Sequence, residues 1–131
     1  MNLKRAVILG AAVYIISFAL NELVALAVSD SPEKPSITIG VSGIVITLIV
    51  LVLCTKIYLK TIKPSAREGF LFGITTAIAG IILDTIITLI ADVTKPLGNL
   101  DNIFFWAANG FVIIVPIIVA SLAAKKQKKQ E

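Results

Sequence analysis

A chain of 131 residues that is 57% hydrophobic and only 15% charged, with a mean hydropathy of +0.97, lacks the polar surface to coat a soluble globule. One Cys and no His exclude an internal disulfide and leave no expected metal or cofactor centre and no nucleophile–base pair, so the chain is not expected to be an enzyme. The formal charge of +4 would suit a nucleic acid, but the basic residues fall at the ends of long apolar runs, and no nucleic-acid partner is expected.

Four such runs follow in chain order, at 6–28, 37–55, 69–91 and 103–124. Each is near the roughly 20 residues a helix needs to cross about 30 Å of hydrocarbon. The runs are rich in Ile, Val and Thr, but they are too long for strands and do not alternate. The expected fold is therefore all-α: one integral membrane domain, a four-helix transmembrane bundle over 1–124, followed by a basic tail over 125–131. Lys4-Arg5, the apolar stretch and Ala25-Leu26-Ala27 have the three parts of a signal peptide. Apolar residues continue past Asn21-Glu22 to span length, so the first run is expected to stay as a span. Pro35-Ser36 opens the second. Ser65-Ala66-Arg67-Glu68 before the third has the form of a capping box, Pro96 follows the third, and Asp101 or Asn102 can cap the fourth.

Direction follows from the Lys and Arg of the short loops. Ten of the twelve lie at the amino end (Lys4, Arg5), in the middle link (Lys56, Lys60, Lys63, Arg67) and in the tail (Lys125, Lys126, Lys128, Lys129), against Lys34 and Lys95 in the other two loops. Both termini are therefore expected in the cytoplasm of a cell whose plasma membrane holds the chain, with loops 29–36 and 92–102 outside. Trp106 suits the outer interface and Tyr58 the inner one. Lys125, Lys126, Lys128 and Lys129 are placed to meet anionic lipid headgroups.

Two acids fall inside runs, Glu22 and Asp84, where an ionised group costs roughly 2.5–3.5 kcal/mol near the bilayer centre. Both lie about 9–11 Å below the outer edge at a 1.5 Å rise per residue. Asn109 and Ser42 lie at similar depth and Asn21 adjoins Glu22, so Asn21, Glu22, Ser42, Asp84 and Asn109 form one expected outer-half polar cluster. It would be structural, or a proton or cation site. Small and polar residues recur on one face of each helix: Gly10, Tyr14, Ser17 and Asn21; Gly40, Gly43 and Thr47; Gly69, Gly73, Thr76, Ala77, Gly80, Asp84 and Thr88. These stripes, including the GxxxG of Gly69 and Gly73, are expected to pack helices closely, and Pro116 to kink the fourth. Glu22 and Asp84 each stand eight residues before an aspartate, with Lys34-Pro35 and Lys95-Pro96 following. This echo would suit a duplicated hairpin related by an axis along the membrane normal.

The Gly69 to Asp84 stretch, Phe104-Phe105-Trp106 and Val115-Pro116-Ile117 resemble small four-helix prokaryotic membrane proteins of the domain-of-unknown-function kind, which implies a fold and no activity. The size and the acid in the first span are similar to the small multidrug resistance transporters, although those place the glutamate nearer the middle of helix one and use other Gly and Trp positions. The expectation is a non-enzymatic structural or accessory component, partnered by the bilayer and by another membrane protein or further copies of itself. The alternative is a small proton- or cation-coupled transporter using Glu22 and Asp84.

Overall fold

A computed structural model describes residues 2–28, 35–90 and 103–129, with the side chains of 35–39, 88, 103–106 and 108 outside that description. Loops 29–34 and 91–102, with Pro96 and the Asp101/Asn102 cap, and the Trp106 side chain therefore lie outside the described residues. Four helices are present among them: α1 (Leu3–Val28), α2 (Pro35–Leu59), α3 (Ala66–Ile90) and α4 (Ile103–Lys128). All four are long and apolar enough to cross a membrane.

At the end of the bundle that carries ten Lys and Arg, hereafter the basic end, all four helices extend past the apolar runs by three or four residues, and α1, α3 and α4 show how. Polar side chains explain the extension. Asn2 Oδ1 accepts the Arg5 N–H at 3.1 Å, an amino-terminal cap that satisfies one free donor of α1. Ser65 Oγ accepts the Glu68 N–H at 3.2 Å and starts α3, as the capping-box spacing predicts. Lysines continue α4, because their stems can lie along an apolar helix while the ammonium reaches outward.

Contacts set direction and order. The Arg5 guanidinium donates to the Ile57 carbonyl at 2.8 Å, so the start of α1 lies beside the end of α2. Gly10 meets Thr76 and Gly80 meets Tyr14, so α1 and α3 run parallel. Gly69 and Gly73 meet Pro116 and Ile113, so α3 and α4 are antiparallel. Around the bundle the neighbours are α1–α2, α2–α4, α4–α3 and α3–α1, with the α3–α4 seam the most extensive. A two-fold axis along the bundle would set α1 beside α4 and α2 beside α3. The observed ring does not, so the two hairpins are not related in the way the sequence echo suggests.

The densest packing is at the basic end. Tyr58 and Phe72 reach across the diagonal between α2 and α3 and stack with centroids 4.7 Å apart. Both are fully buried, with Leu51, Thr55 and Pro116 beside them as the largest enclosed side chains. Tyr58 is thus a core residue and not an interfacial one. Its hydroxyl has a partner inside, donating to Glu68 Oε2 at 3.0 Å, so burial leaves no polar atom stranded. Thr55, Thr75 and Thr76 return their hydroxyl protons to carbonyls one turn earlier, which makes these polar residues tolerable inside apolar helices. Outward faces carry exposed Ile, Leu, Val and Phe along all four helices.

The small-residue stripes do different things. A Cβ on Gly69 would overlap the Pro116 carbonyl and lie 2.8 Å from Ile117 Cα, and one on Gly73 would lie 2.9 Å from Ile113 Cα. There, α3 and α4 touch backbone to backbone. Pro116 has no N–H to offer the Val112 carbonyl, and that oxygen lies 2.9 Å from where a Gly73 Cβ would stand. Gly10 is nearly as close to Thr76 Cα, at 3.0 Å. Gly43 faces only the Asn21 side chain, and Gly80 makes ordinary contact with Tyr14. Gly40 lies half-buried in α2.

Candidate functional site

Away from the basic end the ring of helices opens. A cleft of about 310 Å³ lies between α1, α3 and α4, with Thr47 of α2 on its wall. Helix periodicity brings its polar lining together. Tyr14, Ser17 and Asn21 are spaced three and four apart on α1, as are Thr76, Gly80 and Asp84 on α3, and such residues share a helix face. Asn109 completes the lining from α4, and Val13, Ile81 and Val112 supply apolar wall.

The charge of this lining is one-sided. The Tyr14 hydroxyl donates to Asp84 Oδ1 at 2.9 Å, tying α1 to α3 at the acid. The hydroxyl proton of Thr76 is committed to the Phe72 carbonyl, so this oxygen can offer the cleft only lone pairs. Asn21 Oδ1 and Ser17 Oγ are buried without a hydrogen-bond partner, and Ser17 is only 7% exposed. Among the described residues no Lys or Arg lines the cleft. It therefore presents a carboxylate, several acceptor oxygens and the amide N–H groups of Asn21 and Asn109 in an apolar frame. Its volume would hold roughly ten waters at about 30 Å³ each, more room than a bare alkali ion fills.

Of the five residues expected in the polar cluster, the structure brings together Asn21, Asp84 and Asn109. Glu22 is exposed and is not among the lining residues. One step along a helix turns the side chain by about 100°, so the residue after the inward Asn21 points past the cleft edge. Ser42 is half-buried in α2, outside the lining. Tyr14, Ser17, Thr47 and Thr76, visible in the sequence as stripe residues, prove to belong to the cleft. The Tyr14–Asp84 bond has no signal in the sequence, because it joins residues 70 positions apart. Cys54 is buried in the core. Among the described residues no three His, Cys, Asp or Glu gather as a metal set would require.

A second hollow, of about 610 Å³, runs between α2 and α4 at the basic end. Lys125, Lys126, Lys128 and Lys129 all project outward there. No protein-family model, curated protein or solved structure matches this chain.

Proposed function

We propose that the chain is a small multi-pass protein of the cell membrane, with both termini cytoplasmic, that is not an enzyme and takes a small organic cation into its outer cleft. The observation that carries this reading is the Asp84–Tyr14 pair in a cleft with unpartnered acceptor oxygens and, among the described residues, no basic side chain. Asp84 supplies the counter-charge, Ser17 and Asn21 accept N–H groups of a protonated amine, and Val13, Ile81 and Val112 hold its apolar body. An acid in a span is expensive, which favours such a charged occupant over a purely structural role. Movement of the cation across the membrane is the natural consequence, with Asp84 as the coupling acid in place of a Glu22–Asp84 pair.

Titration calorimetry of the purified chain with benzylammonium tests the binding. Asp84→Asn should weaken it by at least about thirtyfold, since removing one partner of a desolvated charge pair costs about 2 kcal/mol or more. Equal affinity for wild type and Asp84→Asn, with both folded, would sink the reading. Binding that depends on Asp84 without uptake into proteoliposomes would leave a cation-binding accessory protein and remove transport.

The accessory reading also has an observation of its own. Glu22 is exposed on α1 six residues before its end, beside exposed Leu23 and Leu26. A carboxylate on a lipid-facing flank suits cover by a second copy or another membrane protein. A Glu22→Gln chain that keeps the wild-type oligomeric state in native mass spectrometry would remove that motive.

A further inference from the structure

The hollow between α2 and α4 has a graded lining. Val52 and Lys56 lie four apart on α2, Lys60 follows in the turn just past its end, and Val119, Ala123 and Lys126 lie at spacings of four and three on α4. These helices are parallel neighbours, so the two apolar segments lie side by side and the lysines cap the same end. From Val52 to the helix end at Leu59 is about 10 Å at a rise of 1.5 Å per residue. The groove is thus apolar along its length and carries three exposed ammonium groups at its mouth. Among the described residues no acidic side chain lines it. At its outer lip Leu122 is exposed, as is Ile118 one turn before it on α4.

We infer that this groove is a binding site for one anionic glycerophospholipid of the cytoplasmic leaflet, with the phosphodiester at Lys56, Lys60 and Lys126 and an acyl chain along Val52, Val119 and Ala123. Charge complementarity selects the headgroup, and the apolar floor selects a lipid over free phosphate, which would leave the floor uncovered. The tail lysines Lys125, Lys128 and Lys129 stand outside the lining and attract the leaflet only diffusely. The inference rests on the membrane placement proposed above and is independent of the cation cleft. Carbonate extraction of membranes tests that placement separately.

The test is native mass spectrometry of the full chain released from nanodiscs of mixed dioleoyl phosphatidylglycerol and phosphatidylcholine. Wild type should retain one phosphatidylglycerol. The triple variant K56Q/K60Q/K126Q should lose it, with affinity down about a hundredfold at roughly fivefold per lysine. The triple variant K125Q/K128Q/K129Q removes the same charge and should keep it. Ala123→Phe, which fills the floor and leaves every lysine, should also lose it, and circular dichroism checks that each variant folds. Equal loss in both lysine triples would reduce the effect to diffuse attraction. Displacement by glycerol phosphate at similar concentration would make the ligand a free phosphate. Retention of phosphatidylcholine to the same extent, or of a bound acidic protein in place of lipid, would likewise overturn the assignment.

Discussion

Ser17 is the residue whose position is hardest to explain by packing alone. Its hydroxyl is buried on α1 with no partner, one turn from Tyr14 and one from Asn21. A buried hydroxyl without a hydrogen bond costs about 1–3 kcal/mol, and a shape-preserving alanine removes that cost. Ser17→Ala should therefore raise the stability of the unliganded bundle by about 1 kcal/mol, read by thermal unfolding in detergent, while weakening benzylammonium binding. A loss of stability would mean the hydroxyl serves the fold and not the cleft. Asp84 differs, because its carboxylate is already held by Tyr14, so its contribution divides between joining α1 to α3 and receiving a ligand.

Helix against helix, the α3–α4 seam depends on the absence of two side chains. Gly69→Ala and Gly73→Ala each place a methyl into backbone of α4, which cannot move aside as a side-chain tip can. Each should cost about 1–3 kcal/mol. Gly110→Ala, where a Cβ meets nothing within 4 Å, should be neutral or gain up to about 1 kcal/mol from helix propensity. Thermal unfolding of the three single variants reads both signs, and a loss at Gly110 equal to that at Gly69 would remove the seam from the explanation. The elements themselves were legible: run length and loop chemistry place all four helices, and Ser65 and Glu68 mark the start of α3 correctly. Helix ends were not, since Asn2 and the lysine stems prolong helices past the apolar residues that hydropathy counts. Nor was neighbour order, because stripes show that a helix has a close-packing face but not which helix meets it. The inward turn of Tyr58 escaped for a related reason. An aromatic at a span edge looks interfacial until Glu68, ten residues on, is seen to accept its proton.

Across the whole molecule, polarity and packing are divided between the two ends. Apart from the α2–α4 groove, the basic end is closely packed, bound by Arg5 to Ile57, Tyr58 to Glu68 and the glycine seam. The far end holds the cleft. On the orientation proposed above, the basic end faces the cytoplasm. In a Cys54→Ser background, Lys128→Cys should react with an impermeant maleimide only in inverted vesicles or after permeabilisation. Labelling of intact cells would reverse the orientation, and the cleft would then open inward. The seam of Gly69 and Gly73 against Pro116 also bears on how the chain comes apart under load. When the carboxyl terminus is pulled out of the bilayer, α4 has to peel from α3 across contacts that involve main chain along two turns. It cannot shed them one side chain at a time. The second hairpin should then leave as a single mechanical unit, and the first should follow at a lower force.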